Sequence, residues 1–493
     1  MKPARFVIKA LAIPLLLGAA LIAAIVVAFA IQARVRLPDL RAWHRVQLRN
    51  EYRAGGAGAP QTFEEYRLLE DRLIAEVRQR VLDDPAAADT QVIGRYTPGS
   101  VPCRLAFDTP YNHSYELVPE KPRGAVLLVH GLSDSPYSMR SLADLFFAQG
   151  YYVLVLRMPG HGTIPSGLVD VTWNDWYGAV VLAAKQAAAH AGPGQPFFAG
   201  GHSTGAALVT LYSLRALDDT SLPKPARLFL LSAAIGITDF AALTNVVAAL
   251  SFLPGFEKSD WMDVRPEYDP YKYNSFPVNA ANQIYRLTRE IRSAMASAGE
   301  RGRLGAMPRV LAFQSIVDAT VTARDVVRGL LAQLPQGGHE LVVFDINRRD
   351  TFEGLVAPGP IADLESIRAA VGMPFRLTLI ANRDTTTNAM ASYTREAGAS
   401  EIKVEPLALE WPHGVFSLGH VALPFPPDDP VYGLEPRPGA GPSYPLGALS
   451  VRGEEGALLV PLGALARLKC NPFFDVVKAK VVETLAADAG QGR

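Results

Sequence analysis

Gly201-His202-Ser203-Thr204-Gly205, with Pro196-Phe197-Phe198-Ala199 before it and a helix-like run over 206–217 after it, is the stretch on which the fold turns. It has the form G-x-S-x-G in the setting that motif needs: a short apolar strand, a sharp turn, then a helix. A serine in such a turn sits on strained backbone, and glycines two residues to either side let neighbouring backbone approach closely. The helix that starts there aims its free N-terminal N–H groups at negative charge forming beside the serine. The bare pattern arises by chance in a glycine-rich chain; the strand and helix around it single out Ser203 as a nucleophile.

Outward from this turn, short β-branched or Leu-rich runs at 125–129, 151–156, 196–199, 227–231, 309–313 and 340–344 alternate with helix-like stretches. Such alternation predicts an α/β fold with a mostly parallel central sheet and helices on both faces. Two segments interrupt it. The first, about 236–305, contains the apolar run 246–256 and Trp261, and its length predicts a cap or lid. The second, about 346–411, holds a further strand-like run at 375–380, which either extends the sheet at that edge or walls the pocket.

A serine hydroxyl needs a base, and the base needs an acid to hold its tautomer and stabilise the imidazolium. Asp318, just past the run 309–313, and Asp345, just past 340–344, are the acid candidates. The later histidines are His339, His413 and His420. His339 precedes a strand rather than following one, which puts it at the wrong edge of the sheet.

Further segments carry a family resemblance. Ala125-Val126-Leu127-Leu128-Val129-His130-Gly131-Leu132 is a buried strand running into His-Gly, and Arg157-Met158-Pro159-Gly160-His161-Gly162 is followed by Trp173-Asn174-Asp175-Trp176. Over about 125–425 the chain resembles the α/β-hydrolase superfamily, in its monoglyceride-lipase-like and lysophospholipase-like, serine-aminopeptidase-type branch. The resemblance implies the α/β-hydrolase fold, with the backbone N–H groups of Leu132 and Thr204 as oxyanion hole. It also implies Asp318 as the acid and His420, in Gly419-His420-Val421, as the base. His161 and Asp175 mark kinship, and structural roles suffice for both. One departure is the insertion before His420, since in the simplest members that loop directly follows the last strand.

The implied activity is hydrolysis of a carboxylic ester through an acyl-enzyme. The apolar lid points to a hydrophobic or lipidic acyl substrate, because its residues offer nothing to pair with charged ligands. Peptidase and acyltransferase activities use the same residues, and a non-catalytic, membrane-held binding module is the reading from another class. No dinucleotide fingerprint, Walker loop or H-E-x-x-H is present, so neither cofactor nor metal is expected. Lys+Arg and Asp+Glu balance at 48 each, which excludes a global field for nucleic acid.

At the N-terminus, Lys2, Arg5 and Lys9 precede an uncharged apolar run over 10–31. At about 1.5 Å per residue a helix of that length covers a hydrocarbon core of roughly 30 Å. Residues 1–33 are therefore expected to form a membrane anchor, with a cleavable signal peptide ending at Ala28-Phe29-Ala30 as the alternative. Arginines after the run (Arg34, Arg36, Arg41, Arg45) blur the orientation, and the segment's likeness to a signal sequence leads to the expectation that the catalytic domain is exported. Residues 34–100 read as a linker and an amphipathic helix opened by the capping box Thr62-Phe63-Glu64-Glu65, and 101–485 as the hydrolase domain. Cys103 and Cys470 either pair or remain two buried thiols.

Overall fold

The computed structural model describes residues 35–84, 93–236 and 257–491, except 319, 354, 356, 357, 438–443, 453, 455, 456 and 459, and also positions 18 and 24. The strands are β1 (Tyr115–Leu117), β2 (Ala125–Val129), β3 (Tyr152–Leu156), β4 (Phe197–His202), β5 (Arg227–Leu231), β6 (Trp261–Asp263), β7 (Phe276–Pro277), β8 (Arg309–Ser315), β9 (Glu340–Phe344), β10 (Arg376–Asn382), β11 (Ala389–Arg395) and β12 (Lys403–Glu410). β6 and β7 pair with each other. The other ten form one sheet in the order β1-β3-β2-β4-β5-β8-β9-β10-β11-β12.

From β3 to β10 every pairing is parallel. The antiparallel pairings lie at the edges, β1 on β3 and β11 and β12 beyond β10. All residues of β2, β3, β4, β5 and β9 are buried, as the unbroken apolar runs require of strands covered on both faces. One face packs against the helices Trp173–Ala191, Thr204–Arg215 and Val278–Glu300. The other packs against Arg140–Ala148 and Phe474–Gln491.

The two interruptions resolve differently from one another. Within the segment expected to be a lid, 237–256 lies outside the described residues. The helix Val278–Glu300 that follows is a layer of the fold: Ala280, Ile284, Leu287, Ile291 and Met295 are buried in the same core cluster as the helix after Ser203. The second interruption extends the sheet, with β10 adding in parallel and β11 and β12 folding back.

The helix Phe63–Val77 opens on the expected capping box, in which the Glu65 N–H donates to Thr62 Oγ1 at 3.2 Å. Its apolar stripe, Phe63, Tyr66, Leu73 and Val77, is buried. The Tyr66 hydroxyl donates to the Arg157 carbonyl at 2.8 Å, while the buried Arg157 guanidinium lies 2.7 Å from Glu70 and 3.1 Å from Glu51. Cys103 and Cys470 are both free and buried, in separate clusters, so the pairing does not form. The apolar run expected to anchor the chain lies outside the described residues but for positions 18 and 24. Among the described residues no helix is long and apolar enough to cross a membrane.

Candidate active site

At the end of β4 the chain turns through Ser203 at φ +53° and ψ −113°, a conformation that costs a non-glycine residue of order 1–3 kcal/mol. Neighbours hold it there. The Ser203 N–H donates to the Leu231 carbonyl at 2.8 Å, and its carbonyl accepts from Ala207 at 3.0 Å and Ala234 at 3.2 Å. The flanking glycines are required for space: a methyl on Gly205 would strike the Val129 carbonyl, and one on Gly201 would strike the Gly205 backbone. Thr204 is the first residue of the helix, so its N–H has no intrahelical acceptor.

The acid and the base come together across 102 residues of sequence, with His420 Nδ1 2.8 Å from Asp318 Oδ2. Asp318 is set by the turn after β8. Its Oδ1 accepts from the N–H groups of Thr320 (3.0 Å) and Val321 (2.9 Å), and its Oδ2 accepts from Gln314 Nε2 at 3.0 Å. Burial alone would raise its carboxyl, but the bond from His420 and these backbone donors outweigh burial and hold it below the usual range. His420 opens a short turn, and two residues before it the chain is tied to the sheet, since the Ser315 hydroxyl bonds the Leu418 carbonyl. The His420 ring lies against the elbow, 5.1 Å from the His202 ring between centroids.

The competing candidates are placed elsewhere. Asp345 is bound by the Arg348 guanidinium at 2.5 Å. His339 accepts from the Val310 N–H at 3.1 Å at the start of β8, the opposite end of the strand from Asp318. His413 is exposed in the turn after β12.

Leu132 follows His130-Gly131 at the end of β2, beside the elbow. His130 accepts from the Met158 N–H through Nε2 at 3.0 Å, and its Nδ1 lies 2.8 Å from the Gly131 carbonyl. Those contacts fix a neutral ring with its proton on Nδ1, and burial pushes its pKa down to about 4. His161, also buried, lies 3.0 Å from the Pro159 carbonyl, which accepts from Trp176 as well. Asp175 closes a capping box with Thr172 and accepts from the Ala54 N–H at 2.7 Å. Both are structural, as their motifs allowed.

Four residues of the neighbourhood were missed from sequence. Asp134, two residues beyond Leu132, lies 2.7 Å from Lys272 Nζ and 3.3 Å from His202 Nδ1. Arg467 reaches the base loop from near the C-terminus, 3.6 Å from where a Gly419 methyl would stand. The spacing Leu132-Ser133-Asp134 was the available signal for Asp134; for Lys272, Arg467 and the contact made by His202 the sequence holds none.

A family model described as Hydrolase_4, serine aminopeptidase S33, matches residues 120–325, which include Ser203 and Asp318. The chain carries an α/β-hydrolase domain of this type. A stretch of 55 residues is 44% identical to the thermostable monoacylglycerol lipase of Bacillus sp. (strain H-257), covering 11% of this chain and 22% of that protein. The chain thus matches about a fifth of that relative's length. Among solved structures, one of the metagenome-derived lipolytic enzymes LipS and LipT aligns at a TM-score of 0.36 and 23% identity, over 53% of this chain and 99% of its own. Paleococcus ferrophilus monoacylglycerol lipase aligns at 0.35 and 16%, over 47% and 88%. Superpositions this loose carry no argument about substrate.

Proposed function

We propose that the hydrolase domain cleaves a carboxylic ester with a hydrophobic or lipidic acyl group, with Ser203 as nucleophile, His420 as base and Asp318 as the residue that orients it. The observation that carries this reading is the 2.8 Å bond between His420 and Asp318, held beside a strained serine elbow. Nδ1–H of His420 donates to Asp318, leaving Nε2 free to accept the Ser203 proton as Oγ attacks the acyl carbon. The N–H groups of Leu132 and Thr204 receive the oxyanion. Nε2 then returns the proton to the leaving alcohol, and water attacks the acyl-enzyme with the same histidine as base. The stretch similar to the monoacylglycerol lipase of Bacillus sp. supports a lipidic ester. The apolar run 10–31 would hold the domain at a membrane, which fractionation of the full chain against one lacking residues 1–33 reads directly.

The test is hydrolysis of a p-nitrophenyl ester series from short to long acyl chains. The unaltered protein is expected to turn over, His413→Ala to retain that rate, and Ser203→Ala and His420→Ala to lose about three orders of magnitude or more in kcat. Turnover that survives His420→Ala but collapses in His413→Ala would assign the base to the other loop. No turnover of any ester by folded protein would favour the non-catalytic reading.

A further inference from the structure

A cleft of about 360 Å³ opens beside the base loop, and its wall includes Val421, the residue after His420. Its lining brings together Arg265, Lys272, Arg467 and Lys469 with only two carboxylates, Asp134 and Asp269. Neither carboxylate is free to neutralise them all. Asp134 is occupied by Lys272 and His202. Asp269 is buried, and its Oδ1 accepts from the Tyr432 hydroxyl and from the N–H groups of Tyr271 and Lys272. Arg265 is paired with Asp263. That leaves Arg467 and Lys469, neither of which has a carboxylate within ion-pair distance among the described residues. Lys469 Nζ is 3.4 Å from the Leu446 carbonyl, and burial, reinforced by Arg467 and opposed by Asp269, lowers its pKa. Two unpaired cations in a concave wall make a site for a group with several acceptor oxygens.

Where the cleft lies fixes which part of a substrate reaches it. His420 must hand its proton to the leaving oxygen, so the leaving alcohol sits against the base loop rather than at the far end of the acyl chain. Resting on the hydrolase reading above, we propose that this cleft binds an anionic oxyacid group, phosphate or carboxylate, carried by the alcohol part of the ester, with Arg467 and Lys469 as its ligands. The preferred substrate is then an acidic single-chain lipid ester rather than a neutral one. This departs from the expectation of a purely hydrophobic substrate, which rested on an apolar lid whose residues offer nothing to pair with charged ligands.

The experiment compares kcat/KM for four esters with one acyl chain: a monoacylglycerol, its phosphate monoester, its phosphocholine diester, and its hemisuccinate. The expected result is a preference of roughly tenfold or more for an anionic ester over the neutral one, falling by a similar factor in Lys469→Gln and reversing in Arg467→Glu. A phosphate preference without a hemisuccinate preference would narrow the ligand to phosphate; the opposite would narrow it to carboxylate. Equal rates on neutral and anionic esters, or a preference untouched by both variants, would overturn the proposal.

A binding arm keeps the subsite separate from the chemistry. In the Ser203→Ala protein, hexyl phosphate should raise the thermal midpoint, and hexanol at the same concentration should not. The same measurement on Ser203→Ala with Lys469→Gln, or with Arg467→Glu, should lose the rise; no rise in the parent would sink the subsite. If Ser203 accepts no fluorophosphonate but hexyl phosphate still raises the midpoint, the hydrolase reading fails and the anion site stands.

Discussion

At the scale of single residues, the site depends on one strained serine and one hydrogen-bonded pair. Ser203 keeps a positive φ because strand and helix on either side are both buried and leave the turn no other path. In the proposed mechanism Asp318 acts through His420, so Asp318→Asn should leave folding intact and cut kcat by about four orders of magnitude, the cost of presenting the wrong tautomer. Stopped-flow and steady-state ester hydrolysis would check this; a loss confined to KM would contradict it. These residues were legible because each sits in a local pattern: the serine between strand and helix, the aspartate past a strand, the histidine before a valine. Arg467 and Lys469 were not legible. A cation far from the motif in sequence says nothing of the wall it will face, and only the placement of residues 461–469 beside the base loop decides that.

At the scale of elements, the loop after β2 and the base loop after β12 flank the elbow that ends β4, and each has a weak point. The loop after β2 is fixed by neutral His130. Its pKa of about 4 in the fold lies below the ordinary value of 6.5, so the unfolded chain takes up a proton that the fold refuses. Stability is therefore complete above about 6.5 and is lost as pH falls toward 4, by up to roughly 3 kcal/mol. Thermal midpoints measured across that window should fall steeply for the unaltered protein and less so for His130→Gln. The base loop is pinned by the Ser315 hydroxyl on the Leu418 carbonyl. Ser315→Ala should cost about 1 kcal/mol or more of stability and lower kcat more than it raises KM, because it loosens the histidine without touching substrate. The strands that carry these loops were legible as unbroken apolar runs. β11 and β12 were not: β12, Lys403–Glu410, is largely exposed, charged and contains Pro406, as an edge strand that must resist further pairing tends to be. A pattern rule that looks for apolar runs passes over it.

At the scale of the whole molecule, the segment before the hydrolase domain is part of the same packed body. Arg157, which follows β3, is buried between Glu51 and Glu70, while Tyr66 bonds its carbonyl. Arg157→Met would leave two carboxylates in the interior without their cation, and should destabilise the protein by about 3 to 5 kcal/mol in chemical denaturation. An exposed arginine changed to methionine, Arg72→Met for example, should change it little. The amphipathic helix over 63–77 was legible from its capping box and apolar spacing, but the buried ion cluster was not, since its members are separated by 87 and 106 residues. The helix Val278–Glu300 shows the opposite lesson: the bounds of about 236–305 placed it in a lid, whereas its buried stripe completes the sheet's own cover. What unites the three scales is the claim that Ser203 is an activated nucleophile. The direct measurement is reaction of the folded protein with a neutral fluorophosphonate, followed by digestion and mass mapping of the adduct. The account predicts one adduct, on the peptide carrying Ser203, formed far more slowly in His420→Ala; an adduct on another serine, or none on folded protein, would contradict it.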